Sequence, residues 1–172
     1  MKLVGKRILY LVDEGFEDLE FYVPLMRVQE EGASVTIAGS RLKTVRGKHC
    51  LEATPDKLAA DTHADDFDAI VVPGGWAPDK LRRDPVITSL VRSMYQQRKI
   101  VAAICHAGSV LISAGIVRGH KATGSEGIKD DLINAGAEWV DQAAFRDGNL
   151  VWGRVVKDIP DFCRELVLAL SE

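Results

Sequence analysis

Residues able to make and break covalent bonds gather at three places in this sequence. Cys105 and His106 directly follow the apolar run 100–104 (Ile-Val-Ala-Ala-Ile). Acids crowd positions 13–20, as Asp13, Glu14, Glu17, Asp18 and Glu20. Gly74 and Gly75 follow a second apolar run, 69–73. Together these residue types suit attack of a thiolate on a carbonyl carbon. The run 100–104 is long enough for one strand buried on both faces. Beyond Cys105 the spacing turns helical, through Val110, Leu111 and Ala114 to a stop at Gly115. A strand that turns at once into a helix lifts the turn residue above the edge of a parallel sheet, as in the nucleophile elbow of α/β enzymes. The same geometry predicts a lowered thiol pKa, because a helix N-terminus is positive. His106 is then placed to supply a base or a positive charge. The alternative is an inert core cysteine that closes the strand.

Pro24 has no backbone N–H and is comfortable only near a helix's first turn. The helix predicted over 19–31 therefore cannot begin much before Leu19. Glu17, Asp18 and Glu20 fall just past the carboxyl end of the first strand, the edge at which open α/β sheets bind ligands. Glu17 and Asp18 read as complements to the helix dipole. Glu20, between Leu19 and Phe21, is the candidate for the site. The Gly74-Gly75 pair allows close backbone approach and leaves N–H groups to face an anion. Neither a Gly-x-Gly-x-x-Gly run nor a following Gly-Lys-Ser/Thr is present, so a loop of oxyanion-stabilising amides is favoured over a nucleotide cradle.

The elements that must hold these residues alternate along the chain. Strands are predicted over 7–13, 33–38, 69–73 and 100–104, with shorter ones near 121–123 and 138–141. Helices are predicted over 19–31, 85–98, 127–135 and 161–170. In the helix 85–98, Val86, Ile87, Leu90, Val91, Met94 and Tyr95 share one stripe. The stripe of the last helix makes Cys163 a packing residue. The segment 42–54 is polar and glycine-interrupted and reads as a hairpin or excursion on one edge, in which His49 and Cys50 are given no role. Asp147-Gly148 between apolar runs marks a second hairpin. Strands alternating with helices predict one α/β domain spanning residues 1–172, with a doubly wound, mostly parallel sheet between helical layers.

Composition narrows the function classes. At 172 residues, 47% hydrophobic and 27% charged, the chain suits one globular core. A net charge of −3 offers no electrostatic case for nucleic acid or an anionic membrane. The three cysteines, at 50, 105 and 163, have neither disulfide-framework nor metal spacing and point to a reducing compartment. The N-terminus is charged too early for a signal peptide, and no apolar run reaches spanning length. A cytoplasmic protein is expected. The histidines at 49, 63, 106 and 120 show no metal-binding spacing, and neither a metal nor a cofactor is expected.

The ordered stretches Gly15-Phe-Glu-Asp-Leu-Glu20, Val72-Pro-Gly-Gly-Trp-Ala-Pro-Asp-Lys-Leu81, Ala103-Ile-Cys-His106 and Asp130-Asp-Leu-Ile-Asn-Ala-Gly-Ala137 span nearly the whole chain, and Gly148-Asn-Leu-Val and Arg154 extend them. On these the sequence resembles the ThiJ/PfpI superfamily, specifically its PfpI-type intracellular protease branch. The resemblance implies a flavodoxin-like fold with Cys105 as the reactive cysteine. It also implies an acid at Glu20 that hydrogen-bonds the sulfur while protonated, and His106 paired with an acid from a neighbouring subunit. That acid falls on Asp79. Amides near Gly75 and His106 would form the oxyanion site, and the assembly would be a dimer or hexamer with the site near an interface. Where many relatives carry Cys-His-Gly-Pro, this chain has Cys105-His106-Ala107-Gly108. Many also place an aromatic residue after the threonine that matches Thr123, where this chain has Gly124; the pocket would lose a wall there, and Glu126 could bring a carboxylate near it.

Three functions follow. The first is a cysteine-dependent enzyme acting on a small-molecule carbonyl (methylglyoxal and its adducts) or on a peptide, with the small carbonyl favoured. The second is a stress or redox protein whose Cys105 oxidises to a sulfinate held by Glu20. The third, an amidotransferase-like domain sharing the elbow, needs a late histidine, and none follows His120.

Overall fold

A computed structural model describes residues 1–172. The apolar runs become strands β1 (Arg7–Leu11), β2 (Ser34–Gly39), β6 (Ala69–Val72) and β7 (Ile100–Ile104), with the short strands β3 (Val45–Arg46), β4 (Glu52–Ala53), β5 (Lys57–Leu58), β8 (Lys121–Ala122), β9 (Glu138–Trp139), β10 (Ala144–Asp147) and β11 (Leu150–Gly153). The helices are α1 (Asp18–Glu30), α2 (Ala77–Leu81), α3 (Pro85–Gln96), α4 (Gly108–Ser113), α5 (Lys129–Asn134) and α6 (Ile159–Ser171). A seven-stranded sheet in the order β10-β11-β7-β6-β1-β2-β5 forms the centre, parallel except for β10. All residues of β6 and β7 are buried, as strands covered on both faces require. Helices α1 and α6 pack together on one face, while α3 and α4 pack on the other with α2 and α5 beside them. This is the doubly wound α/β sandwich that the alternation predicts.

The hairpin at 42–54 forms as β3–β4, but as a separate two-stranded sheet and not on an edge of the central one; the hairpin at 147–148 forms as β10–β11. Two local expectations shift. Helix α1 starts at Asp18, because the Glu17 side chain caps it by accepting from the Glu20 N–H at 2.8 Å. Pro24 then lies in the second turn, and the Glu20 carbonyl loses its i+4 donor there. In α3, Val86 leaves the predicted stripe and is 42% exposed, while Ile87, Leu90, Val91 and Met94 are buried.

Candidate active site

The strands β2-β1-β6-β7-β11 follow the flavodoxin-like order, and the connections change direction between β1 and β6. A crevice opens at that point beyond the strands' carboxyl ends. Three loops meet there: 12–17 after β1, 73–76 after β6, and 105–107 after β7. Glu20, Gly74, Gly75, Cys105 and His106 are all drawn to this edge.

Cys105 adopts φ +60°, a left-handed conformation that a side chain disfavours. It turns the end of β7 into a tight 3-10 turn, Cys105–Ala107, which leads into α4. The Gly75 and His106 amides face its sulfur and favour the thiolate. Its Sγ lies 3.4 Å from His106 Nδ1. Glu20 is fully buried on the first turn of α1; its Oε2 accepts from the Gly74 N–H at 2.9 Å, and its carboxyl faces the Cys105 thiol. Oε1 is buried without a hydrogen-bond partner. Gly74 therefore presents no free amide: the residue predicted to face an oxyanion holds the acid instead. A Cβ at position 74 would fall 2.3 Å from Glu20 Oε2 and 2.8 Å from Cys105 Cβ, so this approach requires glycine. Gly75, at φ +81°, bridges to Phe16, while the Trp76 N–H donates to the Gly15 carbonyl at 2.7 Å. These contacts strap the loop after β6 to the loop after β1.

Burial, reinforced by the Glu17 carboxylate, pushes Glu20 up to about 8, so it is protonated at neutral pH. Burial first, and the charge of Glu20 second, push the Cys105 thiol up to about 12; the two amides pull the other way. The lowered thiol pKa predicted from a helix N-terminus is not found, because a six-residue helix behind a 3-10 turn offers little to set against desolvation and a neighbouring carboxyl. Burial and the nearby Lys48 ammonium hold the His106 imidazole below its usual range, and therefore neutral.

Asp79 does not meet His106 within one chain. It is 74% exposed and pairs with Arg83 at 3.1 Å, although it lines the same cavity. That cavity, about 480 Å³, is bounded by Lys48, Trp76, Asp79, Arg82, His106 and Ser109 among others. Lys48 comes from the β3–β4 hairpin and lies over the Trp76 ring, 5.4 Å from its centroid. Nothing in its local sequence marked it, because only folding carries this hairpin across to β7. Asp18 does more than complement a dipole: its carboxylate accepts from the His49 and Leu51 amides at 2.9 and 2.8 Å and clamps the hairpin. Exposed Glu126 is not among the cavity-lining residues, and Ile128 supplies the wall instead. A Cβ at Gly124 would meet the Cys105 carbonyl oxygen at 2.6 Å, so no side chain fits there. His120 bonds Asp147 at 2.9 Å and Tyr95 at 2.7 Å; Asp147 belongs to the sheet's opposite edge, beside the start of β7, so this pair forms no triad with Cys105.

The DJ-1/PfpI family model matches residues 6–169. A deglycase of Pyrococcus horikoshii is 43% identical over 165 residues, which cover 96% of this chain and 99% of that protein. Protein/nucleic acid deglycase 2 of Escherichia coli is 39% identical over 171 residues, covering 98% and 99%. Among solved structures, a two-domain protein from Anabaena variabilis with DJ-1/ThiJ/PfpI-like and ferritin-like domains superimposes with TM-score 0.94 at 38% identity, over 96% of this chain and 48% of that one.

Proposed function

The chain belongs to the DJ-1/PfpI family, and from that premise we propose that it is a cysteine-dependent enzyme acting on small carbonyl compounds, of the glyoxalase or deglycase kind. The observation that carries this reading is the Cys105 sulfur, held on a strained elbow between two backbone amides and against a buried, protonated carboxyl. The thiol and Glu20 titrate as a pair. When the pair loses its first proton, the charge can reside on sulfur while Glu20 keeps its proton and donates to it. The thiolate then adds to the aldehyde carbon of methylglyoxal, and the oxygen takes the Glu20 proton, which leaves Glu20 as a carboxylate. Glu20 or neutral His106 removes the proton from that carbon and returns it at the adjacent carbonyl carbon through an enediol, giving a lactoyl thioester. Water hydrolyses the thioester to lactate and frees the thiol. The net change is methylglyoxal plus water to lactate and a proton. The Gly75 and His106 amides, which already face the sulfur, are placed to stabilise the oxyanion beside it.

The test is methylglyoxal turnover by the purified protein beside Cys105→Ala, with a fluorescent peptide run in parallel. We expect lactate formation that the variant loses by at least ~10³-fold, the scale of removing a covalent nucleophile. Peptide cleavage alone, lost in the same variant, would make the protein a peptidase. A redox reading is favoured by one observation, that protonated Glu20 could also donate to a sulfinate oxygen on Cys105. Uptake of two oxygens at Cys105 under peroxide, with no carbonyl turnover, would establish it.

The exposed face of α1 carries Leu19, Val23 and Met26, spaced one and two turns apart and 48%, 41% and 59% exposed, on the helix that also presents Glu20. These residues support a homodimer whose interface lies close to the site, and Asp79 would reach His106 of the partner subunit across such an assembly. Val23→Glu is expected to shift the mass measured by light scattering from dimer to monomer; a monomeric parent protein would sink this reading. No helix is long and apolar enough to cross a membrane, and the scattered cysteines support a reducing, cytoplasmic setting.

A further inference from the structure

The cavity beside His106 has a charge opposite to that of the chain. The protein carries −3 overall, yet the cavity is lined by Lys48, Lys80 and Arg82 against the single carboxylate of Asp79, itself paired with Arg83. Lys48, Lys80 and Arg82 take part in no ion pair. Two of these cations are held in place. The Lys48 backbone N–H donates to the Phe16 carbonyl at 2.9 Å, its hairpin is clamped by Asp18, and its ammonium rests over Trp76. Arg82 donates from Nε to Ser113 Oγ at 2.9 Å, which leaves the outer guanidinium nitrogens without a protein acceptor. Ser109 lines the same cavity, and its hydroxyl makes no hydrogen bond to the protein. Fixed, unpaired cations in a cavity that reaches His106 and Gly75, the residues next to the Cys105 sulfur, form a complement to negative charge.

We infer that Lys48 and Arg82 are specificity-determining residues that hold an anionic group, carboxylate or phosphate, flanking the carbonyl that Cys105 attacks. The substrates preferred would be carbonyl adducts of acidic metabolites, with free methylglyoxal only a minimal substrate. This assignment rests on the carbonyl-enzyme reading, but the site's preference for anions can be measured without turnover.

The first measurement is alkylation of Cys105 by iodoacetate and by iodoacetamide, matched reagents that differ by one charge, followed by peptide mass mapping. The ratio of the two rates, relative to that of N-acetylcysteine amide, is expected to rise about tenfold or more in the native protein. It should fall toward the free-thiol value in Lys48→Met and Arg82→Gln, and in the unaltered protein at 0.5 M NaCl, where the screening length shrinks to a few ångströms. A ratio equal to that of the free thiol, or unmoved by both substitutions and salt, overturns the inference even if methylglyoxal is turned over. A raised ratio without turnover of any carbonyl leaves the anion site standing and removes the enzyme reading. The second measurement compares kcat/KM for methylglyoxal adducts of N-acetylarginine and N-acetylargininamide, and of guanosine 5′-monophosphate and guanosine. The pair in which the anion raises kcat/KM identifies carboxylate or phosphate as the source. Equal values within both pairs overturn the substrate assignment.

Discussion

Glu20→Gln is expected to stabilise the protein at pH 7 by roughly 2–3 kcal/mol while lowering carbonyl turnover at least ~100-fold. The carboxyl is fully buried and sits at about 8, against 4.5 for the free side chain. Between those values the folded protein keeps a proton that the unfolded chain releases, so the folded state binds more protons. Stability must then fall as pH rises, by roughly 1.4 kcal/mol for each pH unit across that window, and level off above it. It is fully retained only below the unfolded pKa. Glutamine has the same shape, can still accept from the Gly74 N–H, and carries no charge to desolvate. Thermal melts of both proteins from pH 4 to 9 should give a falling curve for the parent that the variant flattens in this range. Parallel curves would show that Glu20 is ionised in the fold. The gain in stability and the loss of turnover together separate a proton-carrying role from a merely structural one, since a structural residue would lose both.

Gly75→Ala should destabilise the protein by about 3–5 kcal/mol and reduce turnover at least ~100-fold, as expected when backbone strain and overpacking combine at one position. The residue has φ +81°, and an added Cβ would lie 2.5 Å from both the Glu17 nitrogen and the Gly15 carbonyl oxygen. Both neighbours are backbone atoms of the loop that caps α1, so neither can rotate away. Relief requires the loop after β6 to move, which breaks the Phe16–Gly75 bridge and withdraws the amide that faces the Cys105 sulfur. Denaturant unfolding gives the stability loss, and kcat measured separately from KM gives the catalytic one. An alanine variant with native stability and kcat would show that this amide does not matter.

What the sequence determined by itself was whatever local pattern controls. Apolar runs at 69–73 and 100–104 could only be buried strands, the alternation with helices led to a doubly wound sheet, and a strand turning at Cys105 located the elbow. Glu20 was legible because a carboxylate between two apolar residues at a sheet edge has few places to go. The pKa values, the partners of each group and the shape of the cavity were decided by tertiary structure. Desolvation depends on everything packed around a group, so the thiol moved up where a helix N-terminus alone predicted it would move down. Gly74 read as a free amide until folding set the Glu20 carboxyl against it. Lys48, in a hairpin given no function, became a wall of the site only when Asp18 pinned that hairpin from 31 and 33 residues away in the chain, because a contact made through space leaves no periodicity in the sequence to read.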